Sequence, residues 1–505
     1  MGKTSEEDII STRSNEQSLD PLTQIDTIDK EGKVNDPDKS RLRAQGHEAQ
    51  LERSFTLLGA SALAYSISNS WLTYATCFGL VLTQGKSVTA LLSLIIAGVL
   101  QWVVFLGLGK LCSAFPSSGG PYHFAFVFAT ERTRNFAAYT TGSGLMYTAI
   151  STFGYATYWF PDFGQEPYQV YLVYLGIIFL SLIPIYLTPQ RYLNNLTKAA
   201  MGLSLLGMVL TITITICLGM GRGHCAPGSI LTEYKNTSGW NRGTSWLLSI
   251  ATALYCYSAN GAVMHIAVEL PDPGRKLPQI LNMAMAMGLG IALPWIVAML
   301  FCIEDMAAVQ SAFFPSLEVF GQITGSKAVA TSLQAYMTFL YYTCIPGQWI
   351  TCSRLAWAFH GLPFPTYWQH IDSRLGIPWR ITVMAAAFRT VYGILYIAST
   401  AAYNSIINAA CLMLNVAYVI PQGILLILGR WWGYALNVYS VIFLVVVGVL
   451  FCLPSSDPAD VRSMNYNATV VVGLFGLICL SWMERRCKSK SGNWLGDARY
   501  RQLSC

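Results

Sequence analysis

The chain has 505 residues, 53% of them apolar and only 11% charged, against about 25% charged in soluble globular proteins. So little charge cannot cover a water-facing surface, and the apolar residues gather in runs long enough to cross roughly 30 Å of hydrocarbon as helices, which places the chain in a lipid bilayer as an all-α membrane protein. The net charge of +6 marks no nucleic-acid partner, because no basic face with interleaved aromatics lies outside the apolar runs.

Residues 1–50 are rich in Asp, Glu, Ser, Thr, Asn and Lys and too polar to bury a core, which predicts a disordered cytoplasmic tail with no cleavable signal. Hydropathy then predicts about twelve transmembrane helices, near 55–82, 88–112, 134–160, 168–188, 196–220, 245–270, 277–303, 328–357, 380–399, 403–428, 434–453 and 466–484. They divide the chain into helices 1–5 (51–220), an extracellular loop (221–244), helices 6–10 (245–428), helices 11 and 12 (429–484) and a cytoplasmic tail (485–505). Most of the 32 Lys and Arg residues fall on one side if the N-terminus is inside, so both termini are expected in the cytoplasm. That count assigns Arg354 to a cytoplasmic loop. The sequons at Asn236 and Asn467 then fall outside as candidate glycosylation sites. The 13 cysteines lie mostly inside apolar segments, without metal-ligand spacing, and read as packing residues.

Two of the predicted helices share an unusual interior. The first carries Ser66, Ile67, Ser68, Asn69 and Ser70, and the sixth carries Tyr257, Ser258, Ala259, Asn260 and Gly261. Ser and Asn compete for helical hydrogen bonds and Gly weakens the helix, so an interruption near the bilayer midplane is expected at each. Half-helix ends there would offer partial charges and free backbone groups to a polar solute. The alternative is that these small residues only let helices pack closely. Repetition of the pattern five helices later suggests two inverted five-helix halves plus two C-terminal helices.

Arg389 is ionisable and deep in its predicted helix, so it should face the bundle, either paired structurally or serving gating. His265 and Glu269 lie together near the cytoplasmic end of the sixth helix. They are read either as a protonation-sensitive coupling pair or as a hydrogen-bonded helix end. Lys198 opens the fifth helix. Tyr65, Trp71, Tyr147, Tyr155, Tyr255, Tyr257 and Trp357 suit either packing or a cage for a quaternary amine. Gly85-Lys86-Ser87 resembles the end of a phosphate-binding loop, but Leu80 stands where the first glycine is required. No HExxH or GxSxG motif is present, so no enzyme and no cofactor are expected.

Several stretches carry a resemblance: Ser54 to Leu58 with Asn69-Ser70-Trp71, Cys112 to His123, His265 to Glu269 followed by Pro271, Pro273 and Pro278, Ser353 to Phe359 with Leu362 to Pro365, and Met464 to Asn467. On these the chain resembles the fungal amino-acid/choline permeases, a group of GABA and choline permeases within the amino acid-polyamine-organocation superfamily. The resemblance implies a leucine-transporter-like fold, solute bound between the broken first and sixth helices, alternating access and proton-coupled symport of a small amine or amino acid. A non-transporting nutrient sensor on the same fold is the alternative. The resemblance gives Ser118, Gly119, Gly120, Pro121, Tyr122 and His123 the role of a cytoplasmic loop that follows opening and closing. It implies a fifth-helix lysine, matched loosely by Lys198, in the place of a sodium ion. Lys110, Val268 and Gly261 depart from the family pattern, where acidic residues are usual, which argues against a dicationic substrate. Lys30, Lys33, Lys39 and the tail serines suggest an interaction with ubiquitin-ligase machinery, and plasma membrane is expected over vacuolar membrane.

Overall fold

The computed structural model describes residues 53–114, 116, 118, 120–121, 166–219, 234–312, 314–358, 365–368, 370–372, 375–427, 433–459, 465–473 and 476. The N-terminal tail, the helix expected near 134–160, most of the last helix, Gly119, Tyr122, His123, Tyr147 and Tyr155 lie outside the described residues. Every other expected helix has a counterpart, and no strand occurs among the described residues.

The first span is two helices end to end, α1 (Leu57–Ser68) and the start of α2 (Ser70–Ala114). Thr56 caps α1 by accepting from the Gly59 amide at 3.1 Å, as hydroxyl residues do at a helix start. α2 changes direction at Gly85 and Lys86, where Lys86 has φ 59; its second part is the second span. α3 (Pro167–Leu187) and α4 (Gln190–Gly219) follow as the fourth and fifth spans. The sixth begins as α5 (Arg242–Ser258) and continues in 3-10 geometry over Ala259–Glu269, with a kink at Ile266 (φ −101, ψ 16). α6 (Pro273–Cys302) is the seventh span. Two short helices, α7 (Met306–Ser311) and α8 (Pro315–Thr324), lead into α9 (Lys327–Ala358), the eighth. The short α10 (Pro365–Trp368) precedes α11 (Trp379–Ala398), α12 (Thr400–Ile427) and α13 (Tyr434–Leu450).

Seven helical stretches among the described residues are long and apolar enough to cross a membrane. α9 is not among them; it carries buried Gln334, Gln348, Ser353 and Arg354. Leu172, Phe179, Leu206, Val391 and Val445 are exposed, the pattern of a bundle whose outer solvent is hydrocarbon. Buried aromatic side chains fill the centre, with Trp71 and Trp295 ring centroids 5.8 Å apart. α2 packs most extensively on α5 and α6, and α1 on α4, α6 and the 3-10 helix. The two interrupted spans therefore lie side by side in the middle of the bundle.

Candidate functional site

The first break is one residue wide. Asn69 adopts φ 37 and ψ 62, its amide donating to the Tyr65 carbonyl at 2.6 Å, and a new helix starts at Ser70. A left-handed residue costs roughly 1–2 kcal/mol, least for Gly, Asn and Asp, so the asparagine suits its place. Its side chain is committed on both sides: Nδ2 reaches Cys344 Sγ on α9 at 3.4 Å, and Oδ1 accepts from Ser204 on α4 at 2.9 Å. Ser204 Oγ in turn lies 3.0 Å from Trp71 Nε1 and 3.2 Å from Tyr65 OH. One hydroxyl offers one donor and two acceptor positions, and here all three are used.

In the sixth span the backbone tightens from α-helix to 3-10 helix after Ser258. The two breaks bond one another: Ser68 donates to Asn260 Oδ1 at 2.6 Å, and Ser70 donates to the Cys256 carbonyl at 3.0 Å. Tyr418 on α12 donates to the Ser258 carbonyl at 2.9 Å, and Thr73 donates to the Ser68 carbonyl. Helix interruption frees carbonyls that lipid cannot satisfy, and these side chains satisfy them. The freed backbone and side-chain groups at the two breaks are thus paired with protein groups. Ser66 Oγ is buried with no hydrogen-bond partner among the described residues. Ile67 and Tyr257 are buried, with Tyr257 donating to the Leu94 carbonyl at 3.3 Å, and Ala259 is half-buried. Gly261 leaves room for Tyr418, since a Cβ there would stand 2.6 Å from the phenol oxygen.

His265 and Glu269, read as either a coupling pair or a hydrogen-bonded helix end, each bond to other residues. His265 Nδ1 lies 3.0 Å from the Ser118 carbonyl, while Glu269 Oε1 accepts from Arg354 Nε at 2.7 Å. Glu269 Oε2 takes Gln190 Nε2 at 2.9 Å and Ser54 Oγ at 3.3 Å, and its carbonyl takes the Phe55 amide at 3.2 Å. Arg354, counted above as a loop residue, lies within α9 and is 1% exposed. The hydropathy span 328–357 already contained this residue; only the count of basic residues by side moved it into a loop, and α9 continues past it. The Ser118 loop does pack on the sixth span, its hydroxyl accepting from the Val268 amide at 3.1 Å, with Gly120 against the His265 ring and Pro121 buried.

Lys198 is half-buried, one position off the face of α4 that meets α1. That face bonds through Asn194, Thr197 and Ser204. Lys110 is exposed, its Nζ beside Gly433 at the foot of α13. Arg389 is buried, with its guanidinium carbon 3.7 Å from the Trp349 ring centroid and its carbonyl accepting from Tyr174 at 3.0 Å. Asn467 is fully buried and its amide donates to the Phe451 carbonyl at 2.8 Å, which corrects its expected glycosylation: a glycan has no room there. Asn236 is half-buried and donates to the Trp240 carbonyl.

At the other end of the bundle, Gln84 bonds the Ser455 carbonyl at 2.9 Å, Trp240 the Pro454 carbonyl at 3.1 Å, and the Asp457 amide the Ser238 carbonyl at 2.8 Å.

A family model described as amino acid permease matches residues 55–475. The chain is 27% identical to a choline transporter of Saccharomyces cerevisiae, over 92% of this chain and 85% of that protein. It is 25% identical to a swainsonine transporter of Arthroderma benhamiae, over 89% and 94%. It is 23% identical to the amino-acid permease BAT1 of Arabidopsis thaliana, over 89% and 95%. Among solved structures, a manganese transporter mutant of Eremococcus coleocola superposes with a TM-score of 0.51 at 13% identity, covering 86% of this chain and 97% of that one, a likeness of fold.

Proposed function

The chain belongs to the amino acid permease family, and from that premise we propose that it moves a small monocationic amine or an amino acid across the membrane by alternating access, with the solute held between the breaks at Asn69 and Ser258–Gly261. The observation that carries this reading is the direct bonding of one break to the other, Ser68 to Asn260 and Ser70 to Cys256. A solute lodged there would exchange with those bonds, and opening to either side would separate them. The free Ser66 hydroxyl supplies one more group.

The chemistry favours one positive charge over two. The groups named at the break are hydroxyls, amides, carbonyls and aromatic rings, whereas the carboxylate of Glu269 is engaged by Arg354. Aromatic faces attract quaternary ammonium groups, and the similarity to a choline transporter supports choline ahead of GABA. Proton coupling is part of the proposal, with His265, whose Nδ1 lies 3.0 Å from the Ser118 carbonyl, as the candidate proton carrier on the sixth span. The relatives described above are named as transporters or permeases, which supports flux over the sensor alternative. The proposal includes cytoplasmic termini, which the excess of basic residues on that side supports, and with them the Glu269 end faces inward.

The test is uptake of labelled choline into proteoliposomes, with competition by GABA, amino acids and polyamines, under an imposed proton gradient. Saturable uptake that choline or a monocationic amine blocks, and that a protonophore abolishes, is the expected result. Strongest competition by spermidine would reject the monocation reading, and binding without flux would reject transport.

A further inference from the structure

We propose that Gln101 on α2 and Asn415 on α12 form a hydroxyl site beside the break in the sixth span, and that it selects amino alcohols over amino acids. The proposal rests on the break holding the solute, and it narrows that solute to a monocation carrying one O–H group. When no solute is present the same groups are met by water, which offers the same chemistry.

Both side chains are sealed from solvent and lack the partners that burial demands. Gln101 and Asn415 are each 0% exposed. Neither Oε1 nor Nε2 of Gln101, nor Oδ1 of Asn415, has a hydrogen-bond partner among the described residues. Buried polar atoms are almost always paired in folded proteins, and an exception points to a guest or an ordered water. An unmet buried amide is costly, and an apolar residue of similar size would pack there at no such cost. Asn415 cannot correct its own deficit: Nδ2 donates to the Cys411 carbonyl at 3.0 Å and reaches Ser258 Oγ at 3.4 Å, which fixes the oxygen as the free atom.

Contacts on either side bring the two amides to one turn of the sixth span. Gly98, Gln101 and Phe105 recur at helical spacing on one face of α2. A Cβ on Gly98 would stand 3.2 Å from the Tyr257 phenol oxygen, and the Phe105 ring centroid lies 5.3 Å from that of Tyr418. Tyr418 itself donates to the Ser258 carbonyl at 2.9 Å. Gln101 therefore stands between a neighbour of Tyr257 and a neighbour of the residue that bonds Ser258. Asn415, one turn before Tyr418 on α12, reaches the Ser258 side chain. The rings of Tyr257, Tyr418 and Phe105 on this side of the break also suit a quaternary ammonium head, which aromatic faces attract.

The unmet atoms are two acceptors and one donor, and that set chooses the guest. A hydroxyl donates one hydrogen and accepts through two lone pairs, so it can give to an amide oxygen while receiving from Gln101 Nε2. A carboxylate only accepts, and would set its own charge against both amide oxygens. A methyl group would satisfy none of the three. Sites that bond a substrate hydroxyl reject analogues lacking it far more sharply than apolar pockets separate by size. The selection is therefore for amino alcohols of the choline kind, against amino acids and against plain alkylammonium ions.

Three ligands with the same trimethylammonium head test this: choline, n-propyltrimethylammonium with a methyl in the hydroxyl's place, and betaine with a carboxylate in place of the alcohol carbon. Displacement of labelled choline from the purified full chain in detergent gives their affinities without need of flux. Wild-type protein is expected to bind choline on the order of tenfold more tightly than the propyl analogue, with betaine weakest. In Gln101→Leu and Asn415→Leu that preference should fall toward one, chiefly through loss of choline affinity. A wild-type preference near one would mean that water alone occupies the site and would overturn the proposal, as would a preference that both variants keep, or betaine binding as tightly as choline. Should a leucine variant not yield monodisperse protein, Gln101→Met or Asn415→Met decides by the same ratio. Flux is scored separately in proteoliposomes. Selective binding without uptake rejects the transport reading and keeps the hydroxyl site, uptake without selectivity does the reverse, and no choline binding at all rejects both.

Discussion

Asn69 joins three helices through one side chain, because its backbone ends α1 while its amide bonds Cys344 on α9 and Ser204 on α4. Asn69→Ala removes both bonds and leaves a β-carbon in the left-handed region, whereas Asn69→Gly keeps the backbone geometry and removes only the bonds. We expect Asn69→Ala to lower uptake by about tenfold or more, Asn69→Gly to lower it less, and both to reach the membrane at wild-type levels; each lost bond contributes about 1 kcal/mol. Equal uptake by both variants and wild type would separate the break from transport. A further change tests Gly261: Gly261→Ala drives a methyl against Tyr418, so uptake should fall, and wild-type uptake would mean that the space beside Tyr418 is not needed. At Asn467, whose amide is buried against Phe451, substitution by Gln should leave electrophoretic mobility unchanged.

Among the elements, the 3-10 helix over Ala259–Glu269 is the one whose hydrogen bonds are weakest by geometry, and runs of this length are uncommon. Its amides are therefore expected to exchange with deuterium faster than those of α5, which lies on the same span, and addition of the transported solute should slow them. Exchange as slow as in α5 would argue against a loosened second half of the sixth span. The position of this element was legible in the sequence, because Ser258, Asn260 and Gly261 interrupt an otherwise apolar run. Its extent was not, since nothing in Val263 to Val268 distinguishes one tight helix from another. The close meeting of α1 and α4 was equally hidden: Asn194 Oδ1 takes both the Thr56 amide and hydroxyl at 3.1 Å, and lies where a Cβ on Gly59 would fall. The sequence pattern drew attention to Lys198, but the packed face of α4 carries its hydroxyls and amide four residues before and one residue before that lysine, at Asn194 and Thr197.

Across the whole molecule, the spans could be read from hydropathy because lipid requires every backbone group to be paired within a helix, and that constraint leaves a strong signal in composition. Pairing across distance leaves none. Arg354 and Glu269 are separated by 85 positions, and loop counting placed the arginine in water. Moving it indoors does not disturb the orientation argument, since Arg53, Lys110, Arg191, Arg275, Lys276 and Arg380 still stand at the helix ends that share the Glu269 side. Fewer cations, among them Lys86, Lys235, Arg242 and Lys327, stand on the Gln84 side. Basic residues near span ends are retained on the cytoplasmic side, so epitope tags on either terminus should bind antibody only after the cells are permeabilised. A tag at Lys235 should bind in intact cells. A terminal tag that binds without permeabilisation would overturn this assignment and place the Glu269 end outside.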